Sequence, residues 1–157
     1  MAALADWSNR AGTFQGENLL WLMPGEPVRK SAAAAELQPA AQGQFIELCY
    51  TWAWEDAPQE GRLFFGQTDA GEVKAVWMDT WHMANDFMLL KGAADPAGAV
   101  RVLGAYPAPE GPDWGWRITL APHGEDGFEI VMHNITPDGQ EFLAVQAMFT
   151  RSALSPF

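Results

Sequence analysis

The chain is poor in cations, in cysteine and in long apolar runs. Nine Lys and Arg stand against twenty Asp and Glu, a formal net charge of −11 over 157 residues. Such a surface repels phosphate backbones and anionic headgroups, so neither nucleic acid nor a membrane is expected as a partner. Cys49 is the sole cysteine. It excludes an intramolecular disulfide and, set in an apolar run, reads as a packing thiol. The histidines at 82, 123 and 133 lack the paired spacing of a zinc site, and one histidine in a strand is weak support for haem ligation; no metal and no cofactor is expected. No apolar run approaches the ~20 residues that span a bilayer. The opening Met-Ala-Ala-Leu-Ala-Asp is short and uncharged, unlike a signal peptide, which points to the cytoplasm. Phosphate-cradling glycine loops and nucleophile elbows are missing as well.

Hydrophobic residues are plentiful, at 48% against 18% charged, so the chain should bury a core as one domain over residues 1–157. Its tryptophans are the sharpest signal. Six of eight fall in the pairs Trp52/Trp54, Trp77/Trp81 and Trp114/Trp116. Strand residues two or four apart share a face, so each pair would put two rings on one side of a sheet. No sustained helical period competes with this pattern. Short apolar stretches alternate with Gly, Pro and Asp punctuation, predicting strands over 12–23, 28–38, 44–55, 62–68, 72–79, 86–92, 99–106, 114–121, 127–135 and 140–151. The alanine run in 28–38 would also suit a helix of about three turns. A strand is preferred there, because a meander needs a continuous edge at that point. The acidic stretch from Glu55 to Gly61 reads as a break. With no helices to cover it, the sheet should close into an antiparallel up-and-down barrel of eight to ten strands, with at most about 15% helix.

The order of motifs carries a resemblance. Tyr50-Thr51-Trp52 precedes an acidic break and Gly61. Trp77-Met78-Asp79-Thr80-Trp81-His82 follows, then Asp113-Trp114-Gly115-Trp116-Arg117-Ile118, then Met132-His133-Asn134-Ile135-Thr136-Pro137-Asp138-Gly139, and finally Phe149-Thr150-Arg151. From about residue 12 to 151 this resembles a bacterial family of lipocalin-like (calycin) barrels catalogued as a domain of unknown function. The resemblance implies an antiparallel barrel and brings no catalytic residue with it.

Candidate ligand-binding residues are Tyr50, Trp52, Trp77, Asp79, Trp81, His82, Trp116, Arg117, His133 and Asn134. Trp52, Trp77 and Trp116 share parity with apolar neighbours and should line the inner wall. Tyr50 shares the face of Trp52, and a buried phenol needs a hydrogen-bond partner. Asp79 is either a buried polar anchor for a ligand, paired with Arg117, His82 or His133, or a cap where its strand turns. His82 is either a proton-transferring group or a satisfied loop histidine, and His133 a cavity group or a wall residue. Arg117 either meets an anionic ligand or faces water, and strict alternation favours water. Residues 142–149 are apolar on both faces. An outer stripe of Leu143, Val145 and Phe149 would need cover, most simply in a homodimer, with Val145→Glu giving a folded monomer. Three functions fit: a carrier or sensor of a small hydrophobic or aromatic molecule, an enzyme (cyclase, isomerase or hydrolase) using Asp79, His82 or His133 as acid or base, and a structural barrel with a filled core. The first is preferred for its aromatic density without a catalytic set.

Overall fold

The computed structural model describes residues 2–153. Ten strands follow one short helix, α1 (Ala2–Asn9). The strands are β1 (Gly12–Leu20), β2 (Arg29–Ala40), β3 (Phe45–Trp54), β4 (Ala57–Gln67) and β5 (Val73–Asp79). They continue as β6 (Met88–Ala94), β7 (Val100–Tyr106), β8 (Trp114–His123), β9 (Gly127–Ile135) and β10 (Glu141–Arg151). Each pairs antiparallel with its chain neighbour, and β1 pairs with β10, so the sheet is a closed up-and-down barrel. Closure removes the sheet edges that helices would otherwise have to cover. The alanine run adopts the strand β2, its inner wall made by Ala33, Ala35 and Leu37. These small residues suit a strand facing large rings across a narrow lumen.

The two ends of the barrel differ. At one end α1 lies against β2, β3 and β4 and drives Trp7 into the lumen. The Trp7 ring meets Phe65 and Phe128 edge-on at 6.2 and 6.1 Å, and its indole Nε1–H donates to the Gly98 carbonyl at 2.9 Å. Phe14 and Phe149 pack on Phe128 at 4.8 and 4.9 Å, filling this end with rings. The opposite end carries the loops 21–28, 80–87, 107–113 and 136–140, and among the described residues no helix plugs it.

Three expectations need correction. The acidic break is only two residues long. Glu55 and Asp56 both have positive φ (47° and 67°), the signature of a tight two-residue hairpin turn, and β4 resumes at Ala57. The pair Trp77/Trp81 does not lie on one strand, because β5 ends at Asp79 and Trp81 sits in the following turn. The stripe of Leu143, Val145 and Phe149 is not an outer face either. A register shift between Leu143 and Val145 inserts one extra residue, which reverses the alternation beyond it. Val145 and Phe149 are core residues at 5% and 1% exposure, while Leu143 is exposed. Val145→Glu would therefore bury a carboxylate among apolar side chains, and the argument for a homodimer through this stripe falls away.

Cys49 faces the outer wall, where neighbouring side chains cover it. Burial, and then the nearby Glu47 carboxylate, push its thiol up to about 11, so it is not a reactive thiolate at neutral pH. Among the described residues, no helix is long and apolar enough to cross a membrane.

Candidate functional site: an aromatic cavity built on a buried carboxylate

The site grows from one row of residues across three strands. Tyr50 of β3 pairs with Gly61 of β4, and Gly61 pairs with Asp79 of β5. All three are buried. Gly61 has no side chain to fill its place in the row, so the Tyr50 ring lies across it. A Cβ on Gly61 would stand 2.0 Å from Tyr50 Cζ. Lying there, the Tyr50 hydroxyl reaches over β4 and donates to Asp79 Oδ2 at 2.8 Å.

Asp79 is fully occupied by donors. Trp52 Nε1–H also donates to Oδ2, at 3.2 Å. Oδ1 accepts the backbone N–H groups of Trp81 and His82, both at 2.9 Å. The carboxylate thus caps the turn after β5 with one oxygen and anchors two aromatic side chains with the other. The cap reading is the one fulfilled; the other oxygen anchors the protein's own Tyr50 and Trp52, and none of the expected partners (Arg117, or the rings of His82 and His133) supplies a hydrogen bond. Trp77 Nε1–H completes the chain by donating to the Tyr50 oxygen at 2.9 Å. Burial first, and the Asp79 charge second, hold the Tyr50 hydroxyl well above the ordinary phenol range, so it stays protonated as a donor.

The anchored turn sets the ring of His82 among four indoles. Its centroid lies 4.7 Å from Trp81, 5.3 Å from Trp116, 5.6 Å from Trp77 and 5.8 Å from Trp52. Trp77 and Trp116 stack at 5.5 Å and 10°, spanning the lumen from β5 to β8. Burial lowers the His82 pKa from 6.5, with Asp79 opposing the shift, so the imidazole is neutral at pH 7. A buried neutral histidine makes stability fall once pH drops below the unfolded-state value, because only the unfolded chain then takes up the proton. Between about pH 8 and about pH 5 the parent should lose stability progressively below about 6.5, and His82→Phe should flatten that slope. His133, also lowered by burial and then by Arg117, acts with the same sign, so both proteins should carry His133→Gln. Urea titrations giving equal slopes with and without His82 would contradict this assignment.

These rings border a cavity of about 370 Å³ at the open end. Trp77, Trp81, His82 and Trp116 form its aromatic side. Leu20, Trp21, Met88 and Ala144 add apolar wall, and Tyr106, Asn134 and Asp86 supply polar atoms. The Tyr106 hydroxyl donates to Asn134 Oδ1 at 2.6 Å. Among the described residues, no three His, Cys, Asp or Glu side chains converge on a possible metal position.

The candidates thus separate into three groups. Trp77, Trp81, His82, Trp116 and Asn134 line the cavity, whereas Tyr50, Trp52 and Asp79 hold the lining from behind. Arg117 and His133 belong to neither group. They pair with each other across β8 and β9 on the outer wall, where Arg117 also pairs with Glu141. Their strand neighbours Trp116, Ile118 and Met132 point inward and alternation turns these two out. Trp52, Trp77 and Trp116 stand on the inner wall at 5%, 1% and 7% exposure. Sequence reasoning missed Trp21, Met88 and Tyr106. Two left a signal, for Met88 shares parity with Leu90 and Tyr106 with Val102.

Fold and site together define a closed ten-strand antiparallel barrel, plugged by aromatic rings at one end and hollow at the other. The chain belongs to the family described as "Protein of unknown function (DUF1579)", whose model matches residues 6–151. No curated protein matches it. Among solved structures, the chain is similar to the crystal structure of Rv2717c from M. tuberculosis, with 12% sequence identity and a TM-score of 0.67. The alignment covers 97% of this chain and 98% of that one, and at such identity it speaks for a common fold alone.

Proposed function

We propose that this protein is a binding barrel, a carrier or sensor that holds one small hydrophobic or aromatic molecule in the open-end cavity. The observation that carries this reading is a cavity of about 370 Å³ walled by indoles, two of them tied to a buried carboxylate, Trp81 by its backbone N–H and Trp77 through the Tyr50 hydroxyl. Pockets for small ligands are concave, mostly apolar and preformed, with a few placed polar groups, and this cavity has that anatomy. A calycin kinship agrees with the closed antiparallel meander and the end-on cavity. A cytoplasmic setting agrees with a buried, unpaired cysteine. The net charge of −11 argues against nucleic acid as the guest. Binding is favoured over acid–base catalysis because both Asp79 oxygens already accept two hydrogen bonds each.

Nile red, an uncharged dye, should bind with roughly micromolar affinity, about 8 kcal/mol. Ala144→Leu, which adds volume to the cavity wall, should weaken binding at least about tenfold, or ~1.4 kcal/mol. Glu60→Ala on the outer surface should leave it unchanged. A dye that ignores the parent, or that binds both variants alike, would contradict the reading.

A further inference from the structure

The charge of the guest can be read from what lines the cavity. On the reading that the cavity binds a small molecule, we infer that its preferred guest is an organic cation, an amine or quaternary ammonium group carried on an apolar body. Among the described residues, the lining contains no lysine and no arginine. Its one formally charged group is the carboxylate of Asp86. Oδ1 of that carboxylate accepts the Phe87 backbone N–H at 2.8 Å, and the side chain is exposed at the cavity mouth. An anionic guest, such as a fatty acid, would meet this carboxylate with no cation in the wall to offset it.

The wall itself is suited to positive charge. Trp21, Trp77, Trp81, Trp116 and Tyr106 all contribute to it, and the faces of indole rings are the best cation-binding surfaces among side chains. The same ring cluster already holds a cation at its outer edge. The Arg29 guanidinium lies 4.7 Å from the Trp54 ring centroid, and Trp54 packs on Trp81 at 5.2 Å. His82, the one lining group that could become positive, is kept neutral by burial and adds no repulsion at neutral pH. Of the remaining polar groups, Tyr106 and Asn134 are neutral and bonded to each other, and the buried Trp116 indole N–H, without a partner among the described residues, can donate to a neutral acceptor on the guest's apolar body. The protein's own charge of −11 adds a long-range field of the same sense.

The test is competition against bound Nile red by three probes of similar size: benzyltrimethylammonium, its uncharged carbon isostere neopentylbenzene, and phenylacetate. Benzyltrimethylammonium should bind at least about tenfold more tightly than phenylacetate. Asp86→Asn should weaken benzyltrimethylammonium several-fold while leaving neopentylbenzene unchanged, and Asp69→Asn, in a remote turn, should alter neither. Trp81→Leu should weaken the cation more than its isostere. Phenylacetate binding as well as the cation, or Asp86→Asn acting alike on the cation and its isostere, would overturn the inference and leave the binding reading standing. Failure of Nile red and all three probes to bind would overturn both.

Discussion

Asp79→Ala should cost roughly 3–5 kcal/mol of folding stability, the range seen when a buried, fully paired charge is deleted from among its partners. The carboxylate is 2% exposed and accepts four hydrogen bonds. Alanine leaves the Tyr50 hydroxyl, the Trp52 indole and two backbone N–H groups without their acceptor. Each buried donor left unsatisfied costs about 1–3 kcal/mol, and water entering from the cavity can relieve only some of them. Asp79→Asn should fall between parent and alanine variant, since one amide oxygen can serve one pair of donors while the amide N–H2 faces the other. Urea unfolding midpoints measure both changes. The turn carrying Trp81 and His82 should loosen as well, so Nile red affinity should drop along with stability. A stability change below about 1 kcal/mol for Asp79→Ala would mean that the network is ornamental.

Gly61→Ala should be nearly as harmful, at roughly 2–4 kcal/mol, and for a steric reason. Alanine is no worse than glycine in a strand backbone, so a replacement at an open strand position would be neutral or favourable. Here the added Cβ would stand 2.0 Å from Tyr50 Cζ and 2.2 Å from its hydroxyl. The phenol must then leave Asp79, and its bonds to Asp79 and Trp77 break together. A double-mutant cycle isolates this cause. In a Tyr50→Ala background, Gly61→Ala should cost almost nothing, since the ring it would strike is gone. Equal costs in both backgrounds would show that Gly61 is required by the backbone and not by Tyr50.

The parts of this molecule that sequence reveals are those governed by local alternation. The strand from Phe45 to Trp54 shows its two faces directly, and the inward set of Trp52, Trp77 and Trp116 follows from parity with apolar neighbours. The strand nature of the alanine run followed from the need to close a barrel and not from propensity, which favours helix there. What stayed hidden depends on register or on single-residue exceptions. Tyr50, Gly61 and Asp79 form one row, yet Tyr50 and Asp79 are 29 residues apart in sequence. No spacing rule connects them before the pairing of β3, β4 and β5 is known. One extra residue in β10 reversed the faces of Val145 and Phe149. The turn at Glu55-Asp56 lacks the glycine that usually marks its type, so the start of β4 was concealed. The helix α1 is only eight residues long, too short to display a period, and Trp7 plugs the barrel from it.

A guest should enter the open end and meet the indoles of Trp77, Trp81 and Trp116, leaving the plugged end undisturbed. Each tryptophan indole N–H gives its own proton–nitrogen NMR signal, and the eight tryptophans are distributed over both ends of the barrel. Trp7, bonded to the Gly98 carbonyl at the plugged end, serves as an internal reference. On titration with naphthalene, the signals of Trp77, Trp81 and Trp116 should shift in a saturable manner while that of Trp7 stays in place. Signals that all remain fixed, or a shift of Trp7 as large as that of Trp116, would contradict binding at the open end.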